Sequence, residues 1–345
     1  MMNLNSNYFW MVLLLTALLG LAVMGCAAAP EGERAEWALA LHGGAGTISP
    51  DLPDSVKEQY YDGLEQAVGI GEEVLSNGGS ALDAVEQVVR NLEDNPLFNA
   101  GKGSVFTKEG THELDAAIMD GSTMEAGALT GLTTVKNPIS LARIVMKESN
   151  HIFFSGNGAE QYADETDVER VENDHFFTQH RFEQWERAQE QSLLNSNREQ
   201  SFFESPNADM FGTVGAVAID ANGNLAAATS TGGMTNKQFG RVGDVPIIGS
   251  GTFANHVAAI SATGWGEKIM QQVSANTIAN LVEFGGYSLE GAVDYVLTER
   301  LQPDEAGFIA VDKDGNVVMN MNTPGMFRGS IDSHGNKVVK IWEDE

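Results

Sequence analysis

The chain has 345 residues, 42% of them apolar, with 38 glycines, enough for one large α/β domain or two closely joined halves. Its 48 aspartates and glutamates outnumber 20 lysines and arginines, and the formal charge of −28 repels phosphate backbones and argues against nucleic acid as a partner. A single cysteine excludes an intrachain disulfide.

Residues Phe9 to Gly25 are almost uninterrupted apolar, end at Cys26 and give way to the small-then-charged stretch AAAPEGERAE, the pattern of a cleaved targeting segment. Val23-Met24-Gly25-Cys26 resembles a bacterial lipobox. On that reading residues 1–25 are a lipoprotein-like signal peptide, Cys26 is lipidated, and its lipid anchors the protein to a membrane. The expectation is an exported protein, a periplasmic or cell-envelope lipoprotein of a bacterium. No Lys or Arg precedes Phe9, and the length of the segment also suits an uncleaved anchor.

Trp37 to Leu41 reads as a short buried strand running into the glycine turn His42-Gly43-Gly44-Ala45-Gly46. Two helices follow, Asp54 to Leu75, stopped by Asn77-Gly78-Gly79, and a second with Ser80 as N-cap that carries Leu82, Ala84, Val85, Val88, Val89 and Leu92. From Gly103 to Val135, short apolar runs broken by glycine (GSVFT, ELDAAIMDG, GALTGLTTV) read as strands, and Pro138 to Lys147 as a helix. Phe177 to Asp209 is polar, and its second half reads as a mobile linker, about 186–212. Gly215 to Asp220, the turn Ala221-Asn222-Gly223-Asn224 and Leu225 to Thr229 form a hairpin. The pattern returns at Phe308 to Asp312, Lys313-Asp314-Gly315-Asn316 and Val317 to Asn320, with helical stretches Glu267 to Phe284 and Leu289 to Leu301 between the hairpins. Strand-rich blocks with helices predict layered α/β architecture, sheets covered by helices.

The stretch with most chemistry in it is Gly212-Thr213-Val214-Gly215-Ala216-Val217-Ala218, where a strand starts after a polar linker on a residue bearing a hydroxyl. A threonine hydroxyl needs a base, and a free α-amine with an ordinary pKa of about 7.7–8.0 supplies one from the same residue once the chain is cut. Gly212 has no Cβ and allows the strained backbone through which Thr213 could attack the preceding carbonyl. Read alone, however, a Gly-Thr pair opening a strand is commonplace.

The wider context is more specific. The run GTVGAVAIDANGNLAAATSTGGMTNKQFGRVGDVPIIGSGTFA, with HGGAG at His42, NPLFNAGKGSVFTKEGTHELDAAIMDG at Asn95, TGWGE at Thr263 and NTPGMFRG at Asn322, resembles the plant-type L-asparaginases/isoaspartyl peptidases over essentially the whole chain after the targeting segment. The resemblance implies a four-layer αββα N-terminal nucleophile hydrolase sandwich, cut between Gly212 and Thr213 into an α chain (26–212) and a β chain (213–345) that assemble as (αβ)2. It implies a hydrolase of isoaspartyl dipeptides and of the side-chain amide of L-asparagine. Thr213 then matches the nucleophile and Thr231 the threonine that orients it. Arg241 and Asp244 match the pair that grips the substrate's α-carboxylate and α-amine, tasks suited to a guanidinium fork and a carboxylate. Thr263 and Gly264 match the oxyanion hole and floor, Asn99 an amide donor at its edge, and Gly44 and Gly266 backbone positions of close approach. No cofactor is implied for the chemistry; a structural sodium is implied on the main-chain oxygens of Leu92, Glu93, Asn95, Phe98, Ala100 and Lys102.

Other motifs fall short. HGGAG suits an esterase oxyanion turn, but no Gly-x-Ser-x-Gly follows; His112-Glu113 opens like a zinc helix, but Ala116 replaces the second histidine; Gly156-Asn157-Gly158 lacks the rest of a dinucleotide loop. Two departures from the family pattern stand out. The segment from Asp244 to Thr263 reads one residue shorter than a close bacterial pattern, and Ala262 replaces the usual Cys. Exported relatives include glycosylasparaginases, which usually place Asp before the nucleophile and Asn in the Thr-Gly-Gly motif; Gly212 and Gly232 stand here instead. A glycosylasparaginase-like amidase and an uncleaved surface-anchored binding lipoprotein are the alternatives.

Overall fold

Runs such as ALAL, VGAV and LAAA form strands buried on both faces, because each sheet is covered on one side by helices and on the other by a second sheet. The computed structural model describes residues 34–195 and 212–343, so the targeting segment, Cys26 and residues 196–211 of the expected linker lie outside the described residues. The elements in order are β1 (Ala38–Gly46), α1 (Asp54–Ser76), α2 (Ala81–Asp94), β2 (Leu114–Asp120), β3 (Ala126–Leu132), α3 (Pro138–Glu148), β4 (Phe153–Ser155), α4 (Gly156–Asp164), α5 (Gln179–Asn195), β5 (Val214–Ile219), β6 (Leu225–Thr231), β7 (Thr252–Ala254), β8 (Ala258–Gly264), α6 (Gly266–Gln272), α7 (Ser274–Glu283), α8 (Leu289–Tyr295), β9 (Ala306–Asp312), β10 (Val317–Met321), β11 (Gly325–Asp332) and β12 (Val338–Lys340).

Among the described residues, one sheet has eight strands in the order β12-β11-β1-β5-β6-β2-β3-β4, and the other has four in the order β10-β9-β8-β7. Helices α1 to α4 cover the larger sheet, α7 and α8 the smaller, and β1, β5 and β6 face β8 and β9 across the middle, giving the αββα layering. The period of two along a strand sorts side chains between the layers. Leu39 and Leu41 of β1 enter the core under the helices, while Ala38 and Ala40 enter the core between the sheets. Each of these buried leucines contributes roughly 1.5–3 kcal/mol relative to exposure. By the same alternation His42, Gly215, Thr229 and Thr231 face the space between the sheets, and Ser230 faces the helices.

Several boundaries differ from the sequence reading. β1 does not stop at Leu41 but runs through the glycines to Gly46, with its register against β11 shifting between His42 and Gly44. Ser104 to Phe106 form a loop held by an isolated bridge at Thr107 rather than a strand. The helical stretch from Glu267 breaks where Val273 adopts a left-handed conformation (φ 48°, ψ 50°), and the stretch from Leu289 ends in a π-helical turn, Val296–Arg300. Helix α5 continues to Asn195, well into the expected linker. The β11–β12 hairpin was not anticipated, although its turn repeats the other two: Asp332, like Asp220 and Asp312, accepts backbone N–H bonds two and four residues on.

Gly127 sets how closely α3 approaches β3, since a Cβ there would lie 1.9 Å from the Ala142 carbonyl oxygen and 2.7 Å from Met146 N. Gly127→Ala is expected to destabilise the fold by about 1–3 kcal/mol in urea unfolding.

Candidate active site

Thr213 stands one residue before β5, buried, and just outside the ladder that opens with the Val214–Ser230 pair. Its Oγ1 donates to Thr231 Oγ1 at 3.2 Å. Thr231 Oγ1 donates in turn to the Gly212 carbonyl at 3.0 Å and accepts from Gly233 N–H at 2.9 Å. Asn99, buried in the loop after α2, donates its amide to the same Gly212 carbonyl at 2.8 Å and to the Gly233 carbonyl at 2.8 Å, while its Oδ1 accepts from Val105 N–H at 3.0 Å. These partners fix which end of the Asn99 amide points where. The carbonyl immediately before Thr213 therefore has two side-chain donors on it.

Close approach is built in around this carbonyl. A Cβ on Gly44, whose φ of +120° few other residues adopt, would lie 3.1 Å from Gly212 Cα, and one on Gly232 would lie 2.6 Å from Asn99 Oδ1. Thr263, at the end of β8, is buried and accepts from Ala45 N–H at 3.2 Å, a bond that ties β1 to β8 and leaves the Thr263 hydroxyl proton to give. Gly264 follows with φ +132°, its Cα so near β9 that a Cβ would meet the Glu305 carbonyl at 2.3 Å.

Arg241 and Asp244 converge on Gly266, where a Cβ would stand 2.7 Å from Asp244 Oδ1 and 2.9 Å from an Arg241 Nη. The sequence reading did not foresee their neighbour Glu267, although it closes the TGWGE motif. Arg241 Nε and one Nη donate to the two Glu267 oxygens at 2.8 and 2.7 Å. A guanidinium has two bidentate edges, and this pairing leaves the Nη1–Nη2 edge for another carboxylate. Burial works against the charge of Arg241, but its bonds to Glu267 outweigh that and raise its pKa. Asp244 is buried with Oδ2 lacking a hydrogen-bond partner among the described residues, and desolvation pushes its carboxyl up to about 7 despite the neighbouring Arg241.

The loop of Leu92, Glu93, Asn95, Phe98, Ala100 and Lys102 folds back on itself: Asn95, Phe98, Ala100 and Gly103 N–H groups donate to the carbonyls of Leu92, Asn95, Phe98 and Ala100. The Glu93 side chain, also unforeseen, accepts from Ser230 Oγ at 2.6 Å and Ile139 N–H at 3.1 Å, and burial pushes its carboxyl up to about 8. It joins this loop to β6 beside Thr231.

The profile of the family described as Asparaginase matches residues 35–341. The chain belongs to this family. It is 44% identical over 321 residues to a putative isoaspartyl peptidase/L-asparaginase of Dictyostelium discoideum, covering 85% of this chain and 92% of that protein. It is 46% identical over 294 residues to the isoaspartyl peptidase of Escherichia coli, covering 84% and 91%, and 42% identical over 299 residues to the plant-type L-asparaginase of Thermococcus kodakarensis, covering 84% and 94%. The protein is accordingly an amidohydrolase with the layered fold of the asparaginase family.

These comparisons correct the expectation of an exported, lipid-anchored protein. The relatives compared are named as isoaspartyl peptidases and plant-type asparaginases of bacteria, archaea and eukaryotes. Among the described residues, no helix is long and apolar enough to cross a membrane. An apolar run ending in a lone cysteine is a compositional signal, and the similarity resides in the folded body that begins at residue 35.

Asp244 and Glu93 make stability depend on pH. Each ionises at a lower pH in the unfolded chain, from model values of 3.8 and 4.5, than in the fold, at about 7 and about 8, so the folded state holds more protons across that window. Stability therefore falls as pH rises through it. Thermal unfolding of Asp244→Asn beside the wild type from pH 4.5 to 8 is expected to show the variant gaining Tm relative to the wild type as pH rises.

Proposed function

We propose that the chain cuts its own Gly212–Thr213 bond and that the freed Thr213 is the nucleophile of a hydrolase acting on β-aspartyl (isoaspartyl) peptides and the side-chain amide of L-asparagine. The observation that carries this reading is the Gly212 carbonyl, held by Asn99 and Thr231 next to the Thr213 hydroxyl. Donors on that oxygen stabilise the negative charge that develops as Thr213 Oγ1 adds to its carbon. Collapse breaks the C–N bond and leaves an ester on Oγ1. Water hydrolyses the ester, giving a Gly212 carboxylate and a free amine on Thr213.

That amine then takes the hydroxyl proton as Oγ1 attacks the substrate's side-chain amide, and returns a proton to the departing ammonia or peptide amine. The Thr263 hydroxyl and Gly264 N–H face the developing oxyanion. The Nη1–Nη2 edge of Arg241 receives the substrate α-carboxylate, and the Asp244 carboxyl, whose Oδ1 lies beside Gly266, its α-ammonium. Water releases aspartate from the acyl-enzyme. The names of the isoaspartyl peptidase and asparaginase relatives support the substrate class.

The α chain ending at Gly212 and the β chain of 213–345 remain one body in this reading, because β1 and β2 from before the cut flank β5 and β6 from after it. Two such pairs forming (αβ)2 belong to the same proposal. So does a structural sodium on the carbonyls of Leu92, Glu93, Asn95, Phe98, Ala100 and Lys102: a carbonyl that accepts one N–H keeps a second lone pair, and backbone oxygens suit a hard cation. It would steady the loop that carries Asn99.

On incubation, wild-type protein is expected to yield two fragments meeting at Gly212/Thr213 by intact mass, separating only under denaturing conditions, while Thr213→Ala stays whole and inactive. An uncut, inactive wild type would overturn the reading. Thr263→Val is expected to lower kcat for ammonia release from L-asparagine by about 10²–10³-fold with little change in KM, in steady-state assays of cut enzyme.

A further inference from the structure

We infer that His42 is a positioning residue for Thr213, with its imidazole and a buried chain of hydroxyls orienting the nucleophile's own carbonyl. The inference deepens the reading of Thr213 as nucleophile and rests on it.

Strand β1 pairs with β5 only as far as His42 opposite Gly215, and then bulges where its register against β11 shifts. Its backbone gives no ladder bond to Thr213. The His42 side chain takes over, with Nδ1 2.9 Å from the Thr213 carbonyl oxygen. A carbonyl only accepts, so Nδ1 bears the proton and Nε2 must be the acceptor. Ser261 Oγ, 2.9 Å from Nε2, is then the donor. Ser261 Oγ lies 2.8 Å from Thr229 Oγ1, and Thr252 Oγ1 donates to Thr229 Oγ1 at 2.7 Å. One assignment of protons runs from Thr229 through Ser261 to His42, both hydroxyls directed toward Thr213, while the Thr252 hydroxyl lies between Thr229 Oγ1 and the Val245 carbonyl oxygen at 3.1 Å.

Two further features support this relay. The imidazole is wholly buried, which pushes its pKa down to about 3 and keeps it neutral at ordinary pH. Gly215 makes room for it: a Cβ there would lie 2.1 Å from Ser261 Oγ and 2.5 Å from His42 Nε2.

Cutting the chain is what makes the grip matter. A terminal Thr213 is attached only through its carbonyl carbon, and rotation about Cα–C would swing the amine and hydroxyl together. Thr231 restrains the hydroxyl and His42 the carbonyl, so the amine stays where it can take the proton from Oγ1. His42 touches no reacting atom.

The test compares self-cutting rate, Tm, and kcat and KM for ammonia release from L-asparagine in the wild type, His42→Ala, His42→Asn, Ser261→Ala and Thr213→Ala. Loss of His42 in His42→Ala is expected to slow cutting and lower kcat about tenfold to a hundredfold with KM within about twofold. His42→Asn, whose amide offers a donor near the place of Nδ1, is expected to recover most of that kcat. Ser261→Ala, which releases the imidazole to take its other tautomer, is expected to fall between. Either a kcat of His42→Ala and Ser261→Ala within about twofold of wild type, or equal losses in the Ala and Asn variants that track loss of folded protein, would overturn the inference. An active Thr213→Ala would instead remove the nucleophile reading beneath it; an inactive Thr213→Ala beside a fully active His42→Ala would sink this inference alone.

Discussion

Three distant parts of the chain converge on Gly212, two of them on its carbonyl oxygen. Asn99 arrives from the loop after α2, Thr231 from the end of β6, and β1 approaches closely because Gly44 has no side chain. A buried carbonyl needs a donor, and strand pairing does not provide one, since the ladder starts at Val214. Side chains fill the gap on either side of Thr213: Asn99 and Thr231 before it, His42 after it. The place where the sheet's own hydrogen bonding stops is the place where polar side chains gather.

The second cluster is built from charges instead. Arg241, Asp244 and Glu267 lie together near Gly266, and the one bidentate pair uses Arg241 and Glu267. Asp244 is left with an unpartnered oxygen and a carboxyl that burial makes harder to ionise. Such an arrangement costs stability, and strongly perturbed carboxyls of this kind are common at functional sites. Glu93 shows that the same shift also has a structural form: buried itself, it joins α2, β6 and α3 through its bonds to Ser230 and Ile139.

The sheet order bears on the proposed maturation. Strands from before Gly212 and strands from after it alternate through the middle of the larger sheet, so a break in one peptide bond leaves every ladder bond in place. The core between the sheets likewise draws on both sides of that bond, with Ala38 and Ala40 packed among Val217, Ile260 and Phe308.

The sequence by itself determined the family, the layered class and most strands and helices, because periodicity, turn residues and ordered motifs are local signals; it also singled out Thr213, Thr231 and Asn99, and Arg241 and Asp244, which the fold brings together in two clusters. It misjudged features whose causes lie far along the chain. β1 continues through HGGAG because β11 pairs with it, whatever glycine prefers alone; the helix from Glu267 breaks at Val273 with no Gly or Pro to announce it. The apolar N-terminal run suggested a location that comparison with whole proteins overturned. Only the tertiary structure decided that Glu267 takes one edge of Arg241, that Asp244 is left an oxygen short, and that His42 reaches Thr213 across 171 positions of sequence. Hydrogen bonds of that kind depend on which strands lie side by side, and strand order is a property of the packed sheets rather than of any stretch of residues.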